Sequence, residues 1–303
     1  MPAAAALLAV TLVAPPGSGA LTAALVEEVR ALLPPETSPP AWLAPAEAAD
    51  LHVAADPDPA PVAVALAPWR EHHAFDVFVQ PAATRRKRLL VADMDSTLIG
   101  QECLDELADF VGMKPRVAAI TERAMRGEIA FEPALRERVA LLAGLPATAV
   151  DTVLAERITL TPGAATLVAT MRAHGATCVV VSGGFTVFTG PVAARLGMDE
   201  HRGNTLLVED GRFSGAVADP ILGRAAKLDT LNELRDRLGL ATHETLAVGD
   251  GANDLAMLAG AGLGVAFRAK PAVAAAAHAR IDHGDLSALL FAQGIPADRF
   301  VAP

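Results

Sequence analysis

The segment VADMDSTLIG at residues 91–100 contains two carboxylates, Asp93 and Asp95, directly after an apolar run. The run is typical of a buried strand, and Asp93 and Asp95 stand where such a strand reaches the edge of its sheet. Two other segments have the same form, since CVVVSGG leads to Ser182 and TLAVGDGAND leads to Asp250. Ligands of open α/β sheets bind beyond the carboxyl ends of the strands. The spacing therefore predicts one site built from several strand ends.

Carboxylates that converge on one site repel one another and have raised pKa values unless a cation neutralises them. A set of oxygen ligands favours a hard divalent ion, and Mg²⁺ commonly combines one or two carboxylates with a substrate phosphate. The glycine-rich turn at 182–184 offers backbone N–H groups to a phosphate, and Lys227 offers a positive charge. The pattern predicts a magnesium site and phosphoryl chemistry.

Each of these features alone has an ordinary explanation, because Asp or Ser after a strand often caps a helix and a single lysine is usually solvated. GDGAND is not a dinucleotide fingerprint, since Asp254 stands where a third glycine is expected, and the sequence has no GxxxxGK[ST] pattern. The functional interpretation rests on the ordered combination of all the strand-end groups.

The elements that position these groups begin at Leu89, where short apolar runs alternate with helical patterns. The runs LLVAD, ATCVVVSGG, ETLAVGD and LGVAF predict strands of a parallel sheet flanked by helices, an α/β fold. A helical insertion at about 100–174 separates the first two runs and is interpreted as a lid. Asp210 and Gly211 lie between two apolar runs and predict a hairpin.

Residues 1–82 predict a separate, small α+β domain. We expect a strand at the start, then a helix from about Leu21 to Leu33 with Leu21, Leu25, Val29 and Leu32 on one face. A proline-rich break follows, after which PVAVALA and FDVFVQP predict short strands. The basic run RRKR at 85–88 is interpreted as a solvated linker.

Composition excludes several classes of function. A formal charge of -10 argues against a nucleic-acid or anionic-membrane surface, and 52% hydrophobic residues are enough for a substantial core. Cys103 and Cys178 are too few for a disulfide framework, which favours reduced thiols and the cytoplasm. The run AALLAVTLVA resembles the apolar part of a signal peptide but lacks basic residues before it, so a buried strand is preferred. Small molecules are the expected partners, with no nucleic acid and no membrane.

The motifs DMDST at 93–97, Ser182, Lys227 and GDGAND at 249–254 resemble those of haloacid dehalogenase-type phosphatases. The resemblance covers roughly residues 85–290, and it implies that residues 83–303 form a Rossmann-like core with an inserted helical cap. Within that family, VADMDSTLIGQECLDELA and FEPALRERVALLAG are similar to the enzymes that hydrolyse O-phospho-L-serine in the last step of serine biosynthesis. Some members carry an amino-acid-binding domain of the ACT type, which is the basis for a regulatory expectation at residues 1–82.

The resemblance implies a role for each matched position. Asp93 would be the nucleophile that forms an aspartyl-phosphate, and Asp95 the general acid and base. Mg²⁺ would be held by Asp93, the backbone carbonyl of Asp95 and Asp250, with Asp254 in support. The phosphoryl oxygens would be held by Ser182, Gly183, Lys227 and Asn253.

The choice of substrate depends on the helical insertion. By resemblance, Glu102 would pair with the ammonium group of phosphoserine and Arg138 would bind its carboxylate. Met125 and Phe131 match apolar positions that close over the substrate. Without the resemblance, Glu102 is an acid near a helix start and Arg138 lies in a charged helix, so both would be interpreted as solvated.

Three alternatives stay open at this point. The first is a phosphotransferase that passes the phosphoryl group of the aspartyl-phosphate to an acceptor such as homoserine. The second is a related phosphatase that acts on another small phosphomonoester. A signalling receiver domain also uses an acidic cluster and a lysine, but it has no helical insertion of this size after its phosphorylated aspartate. The sequence does not indicate the oligomeric state.

Overall fold

The computed structural model describes residues 6–125 and 128–302. A first domain contains four strands and two helices: β1 (Ala6–Val13), α1 (Ala23–Ala31), β2 (Ala41–Ala44), β3 (Ala48–Ala55), α2 (Ala60–His72) and β4 (Asp76–Pro81). The sheet is antiparallel in the order β2-β3-β1-β4. Val29 and Leu66 are buried in a core formed by the helices and one face of the sheet. The strand at the start of the chain is confirmed.

The segment PVAVALA was predicted as a strand, and this is wrong, because it lies inside α2. Its alternating valines fit a period of two, but the residues that are buried are Val62, Leu66 and Trp69, at the helical spacing of four and three. Pro61 lies in the first turn, where a missing N–H costs nothing. The two strands β2 and β3 were not anticipated. In α1, Val26 is buried instead of Leu32, which is 50% exposed.

The interpretation of residues 85–88 as a solvated linker is also wrong. Lys87 is buried, and its Nζ donates to the carbonyl oxygens of Thr84 and His243. Arg85 forms an ion pair with Asp50 at 2.6 Å. The basic run therefore joins the first domain to the second, because its charged groups find partners on both sides.

A single carboxylate makes a second connection between the domains. Asp76, at the start of β4, is 1% exposed. Its two oxygens accept backbone N–H groups of Asp282, His283 and Gly284 at 2.8, 3.2 and 2.7 Å. These donors lie in a loop of the second domain, so the contact fixes the two domains to each other.

The second domain has a six-stranded parallel sheet in the order β12-β11-β10-β5-β6-β7. Leu90 and Ala92 of β5 face one core, and Leu89 and Val91 face another. Because both of their faces are buried, β5, β10 and β11 are continuous apolar runs, whereas the edge strand β7 has the sequence EHRGN. The predicted α/β core is confirmed. Its strands are β5 (Leu89–Ala92), β6 (Thr177–Phe185), β7 (Glu200–Asn204), β10 (Thr245–Gly249), β11 (Leu263–Phe267) and β12 (Ala279–Ile281).

Helices fill the segment between β5 and β6, as predicted. They are α3 (Cys103–Phe110), α4 (Lys114–Met125), α5 (Phe131–Ala140), α6 (Ala149–Glu156) and α7 (Ala164–Ala173). The predicted hairpin is present as β8 (Leu206–Glu209) and β9 (Arg212–Val217). Asp210 and Gly211 have φ values of 49° and 73°. The backbone of Phe213 in β9 pairs with Gly144 and Leu145, which attaches the hairpin to the helical insertion.

The remaining helices cover the sheet. They are α8 (Thr186–Leu196), α9 (Arg224–Arg237), α10 (Leu255–Gly260), α11 (Pro271–Ala276) and α12 (Ala288–Ala292). Both cysteines are buried and unpaired, as the composition indicated. Among the described residues, no helix combines the length and the apolar character needed to cross a membrane.

Candidate active site

Asp93 lies directly after β5 at the carboxyl edge of the parallel sheet. Its backbone N–H donates to the carbonyl of Val248, so the ladder to β10 continues to the aspartate itself. The side chain is buried, and its Oδ1 accepts the N–H of Met94 at 2.7 Å. A carboxylate in this place is held in one orientation by the strand that precedes it.

The turn after Asp93 brings Asp95 back toward the sheet. Ser96 has a left-handed φ of 54°, which reverses the chain within the DMDST motif. Oδ1 of Asp95 accepts the backbone N–H of Cys103 at 2.9 Å, and Oδ2 accepts the hydroxyl of Ser182 at 3.2 Å. The strand end, the helical insertion and the next strand thus all contact this turn.

Desolvation raises the pKa of Asp95 to about 6, the neighbouring Asp93 charge adds to the rise, and the hydrogen bonds from Cys103 and Ser182 oppose it. A carboxyl group with a pKa near neutral pH can donate a proton in one step and accept one in the next. The two acids of DMDST have different partners, since Asp93 forms an ion pair with Lys227 and Asp95 accepts hydrogen bonds from Cys103 and Ser182.

Lys227 connects two of the predicted acids from the first turn of α9. Its Nζ lies 2.6 Å from Oδ2 of Asp93 and 2.6 Å from Oδ1 of Asp254. Burial alone would lower the pKa of Lys227, but the two carboxylates outweigh burial and raise it. The lysine therefore stays charged, and the solvated interpretation of this residue does not apply, because its side chain is 1% exposed.

Three carboxylates can share one cation. Asp93, Asp250 and Asp254 each offer an oxygen, and these oxygens lie within 4.8 Å of one another. Desolvation, followed by the negative charge of Asp93, raises the pKa of Asp250 to about 6. The hydroxyl of Thr97 donates to Oδ1 of Asp250 at 2.9 Å, and this hydrogen bond acts in the opposite direction. An all-oxygen, anionic donor set of this kind fits a hard divalent cation.

The turn at residues 182–184 lies beside Asp95. The N–H of Gly184 donates to the hydroxyl of Ser182 at 2.8 Å. A Cβ atom on Gly184 would lie 2.9 Å from Oδ2 of Asp95, so only glycine permits this approach. Asn253 lies in the loop between Asp250 and Asp254, after β10. The contacts described above bring together the other predicted strand-end groups, which are Asp93, Asp95, Ser182, Lys227, Asp250 and Asp254.

The helical insertion faces the same cleft. Glu102, which precedes α3, accepts the hydroxyl of Ser96 at 2.7 Å. Its side chain is exposed, but desolvation by the neighbouring protein, together with the charge of Asp95, raises its pKa to about 7. Arg138 of α5 is half-buried, and burial lowers its pKa, while the charges of Asp105 and Glu102 act in the opposite sense. Glu102 and Arg138 therefore lie near each other.

Phe131 lies at the start of α5 and packs over the glycine turn. A methyl group on Gly183 would lie 3.3 Å from the Phe131 ring, and one on Gly223 would lie 3.7 Å from it. The ring is 37% exposed, so it covers the cleft without being part of the core. The side chain of Met125 lies outside the described residues.

Several groups of the site were not anticipated from the sequence. Ser96 and Thr97 bind the acids Glu102 and Asp250, and the backbone of Cys103 binds Asp95. Their hydroxyls stand within the DMDST motif, which was the available signal. Asn204 binds the turn at Gly183, and nothing local in its sequence marks it.

Comparison with known proteins identifies a family model and several relatives that this chain resembles. Residues 90–259 match the family model of haloacid dehalogenase-like hydrolases. The chain is 45% identical over 237 residues to phosphoserine phosphatase SerB2 of Mycobacterium tuberculosis, which covers 78% of this chain and 58% of that protein. It is 48% identical over 218 residues to a phosphoserine phosphatase of Albidiferax ferrireducens, which covers 70% of this chain and 92% of that one.

One similar solved structure contains an analogue of a reaction intermediate. It is described as a phospho-aspartyl intermediate analogue of phosphoserine phosphatase, and its sequence is 39% identical to this one. The alignment covers 68% of this chain and 98% of that chain, with a TM-score of 0.63.

Proposed function

This chain belongs to the family of haloacid dehalogenase-like hydrolases, and from that premise we propose that it hydrolyses O-phospho-L-serine to L-serine and phosphate. The observation that carries the proposal is the placement of Glu102, which accepts the hydroxyl of Ser96 beside the acids of DMDST and lies close enough to Arg138 for their charges to interact. An anionic and a cationic group, next to a phosphoryl site, match the ammonium and carboxylate of an amino acid. The similar proteins named above support the same substrate.

In the first half-reaction, the Asp93 carboxylate attacks the phosphorus atom, and the bond from phosphorus to the serine oxygen breaks. Asp95 gives its proton to that departing oxygen, which its raised pKa permits. The product is an aspartyl-phosphate on Asp93. Lys227, 2.6 Å from Asp93, offsets negative charge between the nucleophile and the substrate.

In the second half-reaction, Asp95 accepts a proton from a water molecule that attacks the phosphorus atom. The bond between phosphorus and Asp93 breaks, and phosphate leaves. Ser182, the N–H of Gly183, Lys227 and Asn253 hold the phosphoryl oxygens through both steps. Phe131 covers the turn and limits access of bulk water to the aspartyl-phosphate.

Asp93, Asp250 and the backbone carbonyl of Asp95 are the groups we propose as ligands of Mg²⁺, with Asp254 in support. The close approach of three carboxylate oxygens supports this assignment. When bound, the ion neutralises the converging carboxylates and the charge that develops on the phosphoryl oxygens.

The test is phosphate release from a panel of phosphoserine, phosphothreonine, sugar phosphates and p-nitrophenyl phosphate, with Mg²⁺ and with EDTA. We expect Mg²⁺-dependent release with a preference for phosphoserine. Arg138→Gln should remove that preference and leave p-nitrophenyl phosphate turnover nearly unchanged, whereas Arg136→Gln, two residues away and exposed, is the matched control. Equal turnover of all substrates by the wild-type chain would contradict the choice of serine.

The phosphotransferase alternative is separated in the same assay by added homoserine. Hydrolysis predicts that phosphate release equals serine release at every homoserine concentration. Appearance of phosphohomoserine at the expense of phosphate would favour transfer instead.

The division of the chain is part of the proposal. Residues 1–82 form one domain and residues 83–303 the catalytic one, and the insertion at 100–174 acts as a lid. We assign a regulatory role to the first domain, because Asp76 and the Arg85–Asp50 ion pair fix it to the catalytic domain and so permit changes in one to reach the other. The two unpaired cysteines support a location in the reducing cytoplasm.

A further inference from the structure

The side-chain amide of Asn204 binds two separate loops of the catalytic domain. Asn204 is the last residue of β7 and is 3% exposed. Its Nδ2 donates to the carbonyl oxygens of Gly183 at 2.8 Å and Leu222 at 3.2 Å, and its Oδ1 accepts the N–H of Leu222 at 2.7 Å. Both donor hydrogens and the acceptor oxygen of the amide are thus used.

The first of these loops is the glycine turn. In the pairing of β6 with β7, Val181 lies opposite Arg202 and Phe185 lies opposite Asn204. Three residues of β6 therefore face a single residue of β7, and the ladder cannot pair their backbone groups. The carbonyl of Gly183 is satisfied by Asn204, and the N–H of Gly184 is satisfied by Ser182. The peptide unit between the two glycines is held at both ends.

The second loop leads to the buried lysine. Leu222 is followed by Gly223, which caps α9, and Lys227 lies in the first turns of that helix. Because Asn204 binds both the N–H and the carbonyl of Leu222, it fixes the point from which α9 starts. The position of α9 in turn places the Lys227 ammonium between Asp93 and Asp254.

We propose that Asn204 is a positioning residue that sets the distance between the two halves of the phosphoryl site, the turn at Ser182 and Gly183 and the ammonium of Lys227. The inference rests on the proposed phosphatase function. Asn204 does not touch the reacting atoms, since its hydrogen bonds go to backbone groups. Its effect falls on the phosphoryl group and is the same for any phosphomonoester.

An amide is required at this position. A carboxylate would still accept the N–H of Leu222, but it would place a negative oxygen against the carbonyls of Gly183 and Leu222. Asn204→Asp therefore removes the link to the glycine turn and retains one bond to the lysine loop. Asn204→Ala removes both. Asn232→Asp on α9 is the matched control. The amide oxygen of Asn232 accepts a hydrogen bond from Arg235, and a carboxylate oxygen can accept the same bond.

The experiment measures kcat and KM for phosphoserine and for p-nitrophenyl phosphate, together with calorimetric titration of inorganic phosphate, in the full chain with Mg²⁺. We expect kcat/KM to fall by about 10- to 100-fold for both substrates in Asn204→Asp and Asn204→Ala, since misplacement by about 1 Å costs on the order of 10²-fold. The dissociation constant of phosphate should rise about tenfold. The midpoint of thermal unfolding should fall in both Asn204 variants, because buried backbone groups of Gly183 and Leu222 lose a partner, but both variants should remain folded at the assay temperature by circular dichroism. Asn232→Asp should behave as wild type.

Wild-type kinetics in folded Asn204→Ala would overturn the proposal, and so would a loss restricted to phosphoserine, which would assign Asn204 to the amino-acid end of the site. If neither Asn204→Ala nor Asn204→Asp folds, the residue is structural and the proposal fails. A wild-type chain that turns over p-nitrophenyl phosphate but not phosphoserine would refute the proposed substrate alone. The phosphate titration then still tests Asn204, because it needs no turnover.

Discussion

The ammonium nitrogen of Lys227 lies 2.6 Å from Oδ2 of Asp93 in a place where the lysine is 1% and the aspartate 7% exposed in their side chains. Removing one partner of such a pair leaves an uncompensated charge in the interior. Lys227→Met should therefore lower the free energy of unfolding by about 3–5 kcal/mol, measured by urea denaturation in EDTA.

Lys114→Met is the control for Lys227→Met, because the Lys114 ion pair with Glu106 is partly exposed and should contribute less than about 1 kcal/mol. A second substitution, Asp254→Asn, should restore part of the lost free energy of unfolding, since it removes one of the two buried carboxylates that no longer have an ammonium partner. Additive losses in the double variant would contradict the coupling of these groups.

Variants that lack one of the two acids of DMDST should be impaired at different steps of the reaction with p-nitrophenyl phosphate, whose leaving group needs no proton. Asp95→Asn should still form the aspartyl-phosphate but hydrolyse it about 10²- to 10⁴-fold more slowly. Rapid-mixing measurements should then show a burst of nitrophenol close to one equivalent of enzyme. Asp93→Asn should show no burst. A burst in Asp93→Asn, or equal slowing of both phases in Asp95→Asn, would reverse the assigned roles.

The carboxyl group of Glu102 should make phosphoserine turnover sensitive to pH. It must be ionised to pair with an ammonium group, and its pKa in the free protein is raised to about 7 by desolvation and by Asp95. Raising the pH through 7 increases the ionised fraction, so kcat/KM for phosphoserine should rise in this range.

Two comparisons isolate the contribution of Glu102 from that of other titrating groups. p-Nitrophenyl phosphate has no ammonium group, and Glu102→Gln has no titrating carboxyl. Only phosphoserine needs the proton of Asp95, so the ratio of kcat/KM values for phosphoserine and p-nitrophenyl phosphate also follows Asp95, in both the wild type and Glu102→Gln. Dividing the wild-type ratio by the Glu102→Gln ratio cancels this contribution, and the quotient should rise between pH 6 and 8. A flat quotient would remove Glu102 from ammonium recognition.

The domain junction should depend on Asp76. Asp76→Ala leaves the N–H groups of Asp282, His283 and Gly284 without their acceptor, and because the Gly284 bond is buried and the other two are partly buried, this should cost about 3 kcal/mol. Differential scanning calorimetry should show the two domains unfolding in separate transitions, with the catalytic domain still active below the second. Asp236→Ala, an exposed position beside Arg235, should leave the profile unchanged. A single wild-type transition in Asp76→Ala would show that other contacts hold the domains together.

Much of the core could be predicted because its strands are buried on both faces. LLVAD and ETLAVGD are continuous apolar runs with no other stable interpretation, and they correspond to β5 and β10. PVAVALA could not be assigned in this way, because its apolar residues fit both a period of two and a helical spacing. Only packing against the first sheet buries Val62 and Leu66 as a helix. The basic run at 85–88 misled for a related reason, since its partners Asp50 and His243 are distant in the chain.

The sequence by itself determined which chemical groups stand at the strand ends, and in what order, because the end of a strand is a local property of an apolar run and the turn that follows it. It thereby specified Asp93, Asp95, Ser182 and Asp250 as neighbours at one sheet edge. The tertiary structure alone decided which of these groups touch. Asp95 meets Ser182, and Asn204 joins the glycine turn to Leu222, only because parallel strands far apart in the chain lie side by side and α9 packs across their ends.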